Sequence, residues 1–327
     1  MKMIACATAC LFGVTLLAQQ PPLALAHTIP LPGIKGRFDH FAIDVKGGRL
    51  FVAALGNNTL EIIDVANAKR LHTITGLHKP TGVLYLTDAN QIGVANGDDG
   101  TFRIYNGQDY KPVAVVKSLN DADNVRFDAK TDHVYVGCGD GALAVIDRTN
   151  WKTLASIKLP AHPESFQLER EGNRMFVNLP DIRQVAVVDR TKQTVSTHWP
   201  MEKFQANFPM ALDEANHRLF VGCRKPARLI VFDTVTGKSV ADLAIAGDTD
   251  DLFYDPRAKS TYISCGEGFI DVVAQSSHDK YERVHRMPTR PGARTSFFCA
   301  ERSEFYLVVP ERGSDSAELR IYSVAAK

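Results

Sequence analysis

The chain has 327 residues, and its 38 Lys and Arg nearly balance 37 Asp and Glu. This balance argues against nucleic acid as a partner, because nucleic-acid binders usually carry a net basic footprint. At this length two domains would be the default expectation, unless a long all-β chain closes into a single domain.

The N-terminus has the three parts of an export signal. Lys2 precedes a mostly apolar run at residues 4–17, and Ala24-Leu25-Ala26 forms a small-x-small cleavage site before His27. The run has 14 residues, fewer than the roughly 20 that cross a bilayer, so we expect a cleaved leader and no membrane span. The sequence thus predicts a signal peptide at residues 1–26, one domain at residues 27–327, and a periplasmic or secreted location.

One strand-like motif recurs along the rest of the chain. It reads LFVA at residues 50–53, VYVG at 134–137, MFVN at 175–178 and LFVG at 219–222. Its third residue falls at positions 52, 94, 136, 177, 221, 263 and 307, so the period is 41 to 44 residues. A period near 40 with four short strands per unit is typical of a β-propeller. The predicted fold is all-β, a seven-bladed propeller with four-stranded blades.

The third and seventh units define the strands and the closure of the ring. The third predicts strands at 124–128, 133–139, 142–147 and 152–159, separated by polar or glycine turns. The seventh has three strands, at 295–300, 304–310 and 317–324, and then the chain ends. Residues 27–32 resemble the outer strand of the third unit, so we expect this N-terminal strand to complete blade seven and close the ring.

These units resemble the YVTN-type propeller repeat of bacterial exported and surface-layer proteins. The likeness is carried by RLFVAALGNNTLEIIDVANAKRL at residues 49–71, HVYVGCGDGALAVIDRTNWKTLASI at 133–157 and RLFVGCRKPARLIVFDTVTGKSVADL at 218–243. The resemblance implies the propeller fold for essentially all of residues 27–327. It implies no single function, because ligand binders, dehydrogenase-associated subunits and proteins of unknown role share the repeat, so function depends on the site.

Candidate site residues come from aligning the first strand of each unit, which lines the channel of a propeller. Most of these strands end in an acid that we interpret as a turn residue. Counting back four to seven positions from that acid places charged, amide and imidazole groups where the channel opens. The predicted ligand-binding residues are Asp39, His40, Asp123, Asn124, His162, Glu164, Asp250 and Asp251, with Arg294 entering blade seven nearby. A polar, water-filled channel that holds no ligand is the alternative.

The cofactor and the reaction stay open at this point. Residues 121–124 and 248–251 are rich in Asp but lack the glycine and distal glutamate of a calcium loop, so a divalent cation is only one alternative. No Gly-x-Ser-x-Gly, Cys-x-x-Cys or His-Glu-x-x-His sequence occurs. The leading interpretation is a propeller that binds a small molecule or a partner protein at its charged mouth. The alternatives are a metal-dependent hydrolase or lyase of the lactonase kind, with His40 or His162 as acid–base group, and an accessory subunit of a periplasmic dehydrogenase.

Four cysteines remain after cleavage: Cys138, Cys223, Cys265 and Cys299. The first three occupy the same place in three blades, and equivalent positions in different blades should lie beyond the roughly 7 Å between Cα atoms that a disulfide allows. We therefore expect four free, buried thiols.

Overall fold

The computed structural model describes residues 21–325, and within them the chain forms seven four-stranded antiparallel sheets. The first strands of neighbouring sheets contact each other all the way around the ring. They therefore surround a central channel, and the later strands of each sheet lie progressively further out. This arrangement is a seven-bladed β-propeller, and it confirms the predicted fold class.

Each blade has four strands, which follow one another from the channel outward. Blade one contains β2 (Phe41–Asp44), β3 (Arg49–Ala54), β4 (Thr59–Asp64) and β5 (Lys69–Ile74). Blade two contains β6 (Pro80–Leu86), β7 (Gln91–Asn96), β8 (Thr101–Asn106) and β9 (Pro112–Val116). Blade three contains β10 (Val125–Asp128), β11 (His133–Cys138), β12 (Ala142–Asp147) and β13 (Lys152–Lys158). Blade four contains β14 (Phe166–Leu168), β15 (Arg174–Leu179), β16 (Gln184–Asp189) and β17 (Thr194–Pro200).

The remaining blades follow the same order. Blade five contains β18 (Gln205–Asp213), β19 (Arg218–Lys225), β20 (Ala227–Asp233) and β21 (Ser239–Ala244). Blade six contains β22 (Thr249–Asp255), β23 (Ser260–Cys265), β24 (Phe269–Ser277) and β25 (Lys280–Pro288). Blade seven contains β26 (Ser296–Cys299), β27 (Glu304–Val309), β28 (Ala317–Val324) and the N-terminal β1 (Leu23–Leu31). Two short 3₁₀ turns, Leu55–Asn57 and Pro180–Ile182, link the second and third strands of blades one and four.

The N-terminal strand closes the ring as predicted. β1 pairs antiparallel with β28, and Ile29 lies opposite Leu319. Ile29 and Leu31 are fully buried and join a cluster with Phe41 and Leu50 of blade one. Closure therefore both supplies the fourth strand of blade seven and packs it against blade one, leaving no unpaired seam in the ring.

β1 is longer than the sequence suggested. It begins at Leu23, and its register against β28 shifts between Leu25 and His27. The predicted cleavage site after Ala26 thus lies at this shift, inside a strand. Cleavage there would retain the pairing of residues 27–31 with β28. Residues 1–20 of the predicted signal peptide lie outside the described residues, and its cleavage stays a prediction.

Sheet-to-sheet packing makes the core. Strand side chains alternate between the two faces of a blade, and each face packs against the neighbouring blade. Between blades one and two, for example, Phe51 and Ile62 meet Val83 and Ile92. No helix among residues 21–325 has the length and apolar character needed to cross a membrane.

The acids that end the first strands are turn residues, as predicted, and several also bind arginine. Asp44 accepts a hydrogen bond from Gly47 N at 2.9 Å and pairs with Arg49 at 2.8 Å. Asp128 pairs with Arg190 of the next blade, and both side chains are buried. These contacts stabilise turns and link blades.

The four cysteines are free and buried, which confirms the expectation. Burial raises the pKa of each thiol, to about 11 for Cys138 and about 12 for Cys223. These thiols are therefore poor nucleophiles and poor metal ligands near neutral pH.

Candidate functional site

The mouth of the channel is built from one structurally equivalent position in every blade. The reference residue is the first-strand residue that pairs with the centre of the repeated motif, such as Phe41 opposite Val52 and Val125 opposite Val136. In each blade, the residue two positions before this reference residue lies at the mouth of the channel. The side chains at that position, in blade order, are Asp39, Thr81, Asp123, Glu164, Phe208, Asp250 and Arg294. Residues far apart in sequence thus meet because the ring repeats one position seven times.

These side chains line a cavity of about 220 Å³. Eight of the nine predicted residues border it: Asp39, His40, Asp123, Asn124, His162, Glu164, Asp250 and Arg294. The ninth, Asp251, borders a second cavity further along the channel, and His40 borders both. Asp250 lies at a register shift of β22, between Thr249 and Asp251, and the neighbouring side chains of Asp250 and Asp251 face different cavities. Whether these residues bind a ligand stays a prediction.

The acidic side of the mouth combines three carboxylates with two imidazoles. His40 Nε2 lies 3.5 Å from Asp39 Oδ1, and His40 Nδ1 lies 3.6 Å from Asp251 Oδ1. His162 Nε2 lies 3.7 Å from Glu164 Oε1. Asp123 forms no ion pair within 4.0 Å among residues 21–325, and its closest charged neighbours include Asp39 and both histidines.

Burial and like charge shift the pKa values of this side strongly. Burial raises the pKa of Glu164 to about 9, assisted by the charges of Asp123, Asp250 and Asp39. Burial and Asp39 raise the pKa of Asp123 to about 6, against the opposing effect of the histidines. Both acids therefore hold protons well above the pH at which carboxyl groups usually lose them.

The pKa of His40 is also raised, but by the neighbouring carboxylates and against the effect of burial. Burial alone would lower its pKa, but the carboxylates of Asp39, Asp251 and Asp123 outweigh burial and raise the pKa to about 10. The ring is therefore an imidazolium at neutral pH. Its positive charge neutralises part of the acidic side. The ring borders both the mouth and the second cavity.

The opposite side of the mouth is a paired network of two arginines and two acids. Arg294 contacts both oxygens of Asp248 at 2.8 Å, and its Nε lies 3.1 Å from Asp250 Oδ2. Arg224, from the end of β19, binds Asp250 and lies 3.9 Å from the centre of the Phe208 ring. Burial raises the pKa of Asp250 despite these two guanidinium groups. This side is charged but internally satisfied.

Sequence alignment understated the cations at the mouth. Arg37 pairs with Asp39 at 3.0 Å, and Lys79 Nζ pairs with Asp121 at 2.9 Å. With Arg224 and Arg294 they make a mixed rim, and of these four cations only Arg294 was among the predicted site residues. Arg224 comes from the end of the second strand of blade five, so an alignment of first strands could not place it there.

Within residues 21–325, two carboxylates at the mouth have no ion pair with an arginine or a lysine. Asp39 has Arg37 and His40, Asp121 has Lys79, and the two arginines hold Asp248 and Asp250. Among the described residues, Asp123 has no basic side chain within 4.0 Å, and Glu164 has only the imidazole of His162 at 3.7 Å. The buried amide Asn124, which also borders the cavity, has no hydrogen-bond partner for Oδ1. In the described part of the chain, Asp123 and Glu164 therefore border this cavity without an arginine or lysine partner.

Two residue groups have the spacing of a metal site. Asp39, His40 and Asp123 can bring one ligand atom each within 4.8 Å of one another, and so can Asp123, His162 and Glu164. The second group fits an ion better, because His40 is held protonated by its acids. A set of imidazole and carboxylate ligands suits Mn²⁺ or Zn²⁺ more than Ca²⁺, which prefers oxygen alone.

Comparison with known proteins identifies the fold and goes no further. No family model and no curated protein sequence matches the chain. Among solved structures, Kuenenia stuttgartiensis hydrazine synthase superimposes with a TM-score of 0.77 at 16% identity, covering 91% of this chain and 99% of that chain. A chain of the mitotic checkpoint complex superimposes with a TM-score of 0.77 at 13% identity, covering 99% of both chains. At these identities the likeness shows the propeller fold alone.

Proposed function

We propose that this protein is an exported binding propeller that holds a cationic group, from a small molecule or from a partner protein, at the mouth of its channel. The observation that carries the proposal is the pair Asp123 and Glu164. The rim pairs its other acids with Arg or Lys side chains, whereas these two border one cavity and, among the described residues, the one basic side chain within 4.0 Å of either is His162, beside Glu164.

A cationic occupant follows from the electrostatics. In the free protein, burial raises the pKa of both acids and neighbouring carboxylates raise it further, so Glu164, with a pKa of about 9, keeps its proton at neutral pH. A cation between them would favour the ionised form, so binding would release protons and relieve the repulsion. The cavity of about 220 Å³ is below the roughly 300–1,000 Å³ of sites for drug-sized ligands. It therefore fits a guanidinium or ammonium head group, including that of a partner's Arg or Lys.

Protein partners are consistent with the fold. Propellers are common protein-binding scaffolds, and one structural neighbour belongs to the mitotic checkpoint complex. A lysine or arginine inserted into the mouth would anchor such a partner. The neighbouring Arg37, Lys79 and Arg224 would reject a second cation, which favours an occupant with a single charge.

The experiment uses a charged probe and its neutral analogue. Butylguanidinium and butylurea have nearly the same shape, so calorimetric titration of both into the full chain isolates the effect of charge. We expect the guanidinium to bind with proton release, and the urea to bind at least tenfold more weakly. Asp123→Asn and Glu164→Gln should each weaken binding of the cation, whereas Glu171→Gln, on the exposed side of blade four, should not. Equal binding of the two probes would contradict the proposal.

A metal-dependent hydrolase or lyase is the second candidate, and the group Asp123, His162 and Glu164 favours it. A divalent ion there could polarise a carbonyl oxygen or activate water. His40, protonated at neutral pH, would serve as a general acid rather than a base. Elemental analysis after incubation with Mn²⁺ or Zn²⁺ and gel filtration tests this. One equivalent of metal, lost in Asp123→Asn, supports the enzyme, and no retained metal contradicts it.

The accessory-subunit alternative gains no such support. A docking face for a large partner would show a wide apolar patch. The exposed large apolar side chains of the described residues lie on several different blades, such as Leu71, Leu154 and Val284. Val113 and Val115 of β9 are adjacent exceptions. Isolated surface apolar residues are ordinary, so this alternative stays a prediction.

Export and membership of the YVTN-type repeat family belong to the same proposal. The three-part N-terminus supports export, and the repeated units with their 41 to 44 residue period support the family. N-terminal sequencing of the protein recovered from the periplasm or medium of an expressing bacterium tests export. We expect the first residue to be His27. An intact N-terminus in the cytoplasmic fraction would contradict it.

A further inference from the structure

A second cavity lies inside the ring, beyond the mouth. It has a volume of about 410 Å³, and its lining comes from the first strands of six blades. His40 borders both this cavity and the mouth, and its ring lies 3.6 Å from Asp251 in the lining of the second cavity. Its walls are largely apolar and aromatic, with Phe41, Phe253 and Phe297 among them. We call this cavity the inner chamber.

One cation, Arg126 of β10, borders the inner chamber without an ion-pair partner. No carboxylate oxygen of residues 21–325 lies within 4.0 Å of its guanidinium, and its one hydrogen bond runs from Nη1 to Val125 O at 2.8 Å. The Cζ atom of this guanidinium lies 5.4 Å from the centre of the Phe166 ring. Burial lowers the pKa of Arg126, even though Asp251 and Asp123 attract it from a distance.

This isolation distinguishes Arg126 from the other arginines that hold structural positions. Arg190 binds Asp128, and Arg218 pairs with Asp233 and Asp279 at 2.8 and 2.7 Å. A guanidinium removed from water without a partner destabilises a fold. Arg126, in contrast, forms no ion pair with a carboxylate among the described residues. The N–H donors of its guanidinium are therefore available to a ligand.

The acid nearest the inner chamber does not satisfy this cation. Asp251 Oδ2 accepts a hydrogen bond from Ser296 N at 2.8 Å, and its other oxygen lies 3.6 Å from the ring of His40. Because His40 is an imidazolium, Asp251 is already neutralised. Gln167, also in the lining, donates Nε2 to Met210 O at 3.0 Å and leaves Oε1 as a neutral acceptor. The inner chamber therefore keeps a net positive charge.

We infer that the inner chamber binds a small monocarboxylate with an apolar or aromatic body, through a paired hydrogen bond to Arg126. A carboxylate matches the guanidinium with two parallel N–H···O bonds, and the aromatic walls cover the rest of the molecule. A volume of about 410 Å³ lies within the range of small-molecule sites. One uncompensated cation calls for one negative charge, which favours a carboxylate over a phosphate dianion.

The experiment compares three probes of one shape on the full chain: phenylacetate, the neutral phenylacetamide and the cationic 2-phenylethylamine. Calorimetry or saturation-transfer NMR measures each affinity. We expect phenylacetate to bind at least tenfold more tightly than the amide, and the amine not to bind. Inorganic phosphate should not displace phenylacetate. Equal affinity for acid and amide, or displacement by phosphate, would overturn the inference.

Variants locate the site. Arg126→Gln should lower the affinity for phenylacetate at least tenfold, and Arg126→Lys should lower it less, because it keeps the charge and loses the paired geometry. Arg312→Gln, on an exposed loop, is the matched control and should bind as wild type. Unchanged binding in Arg126→Gln would overturn the inference. If that variant unfolds, Arg126→Lys and the probe comparison still decide.

This inference is independent of the proposed function at the mouth. Glu164→Gln should lose affinity for butylguanidinium and keep its affinity for phenylacetate. Arg126→Gln should show the reverse. Either site can therefore fail without the other.

Discussion

Replacing Glu164 with glutamine removes a carboxyl group whose proton the folded protein holds far more tightly than the unfolded chain does. Its pKa is raised from the ordinary value of 4.5 to about 9 by burial and by the charges of Asp123, Asp250 and Asp39. Glutamine keeps the shape and stays neutral at every pH. The variant should therefore be more stable than wild type wherever the unfolded chain would ionise Glu164.

The sign follows from proton linkage. Between pH 4.5 and about 9 the folded state keeps the proton of Glu164 and the unfolded state loses it, so the stability of the wild type falls as pH rises. Each unit of pKa difference corresponds to about 1.4 kcal/mol. Because 23% of the side chain faces solvent, we discount the full value for screening and expect a gain of roughly 2–4 kcal/mol for Glu164→Gln at pH 8. At pH 4 the two proteins should be equally stable.

The assay is urea denaturation at half-unit steps from pH 4 to pH 9, with EDTA present, followed by tryptophan fluorescence, to which Trp151 and the buried Trp199 contribute. Glu171→Gln is the matched control, because Glu171 lies on the same blade with 89% of its side chain exposed. The control should follow the wild-type curve. Parallel curves for wild type and Glu164→Gln would refute the assignment of a protonated carboxyl group at the mouth.

Three further predictions concern the ring. Leu31→Ala in the closing strand should lower the free energy of unfolding by roughly 2–5 kcal/mol, whereas the same change at the exposed Leu154 of another outer strand should stay within about 0.5 kcal/mol; equal losses in urea denaturation would contradict closure. Arg190→Met leaves Asp128 buried without its cation and should cost roughly 3–5 kcal/mol, while Lys192→Met beside it should change little. A thiol reagent should find four free cysteines in the unfolded, unreduced protein and react slowly before unfolding, because burial raises each thiol pKa; fewer than four would indicate a disulfide.

The architecture could be predicted because it depends on a local signal repeated seven times. The strand limits predicted for blade three differ from β10 to β13 by at most one residue at either end. Each blade has its own strand and turn pattern, and the period alone fixes their number. The closing strand was found by its likeness to another outer strand. Its start at Leu23 was missed, since pairing with β28 rather than local sequence sets that limit.

The set of residues at the mouth was also accessible from the sequence, because a ring brings equivalent positions together without any knowledge of side chains. Asp39, Asp123 and Glu164 meet for this reason. The alternation of strand residues could have separated Asp250 from Asp251, but the bulge between Thr249 and Asp251 disturbs the register there. Arg224 gave no signal in a first-strand alignment.

By itself the sequence determined how many blades there are and which backbone positions face the channel, since both follow from a period in the chain. Only the tertiary structure decided which charges are neutralised. Among residues 21–325, Asp123 and Glu164 lack an arginine or lysine partner and Arg126 lacks a carboxylate partner, for reasons that lie in other blades. Ion pairing acts over a few ångströms between side chains that are tens to hundreds of residues apart. A repeat pattern places their backbones but does not say which of them touch.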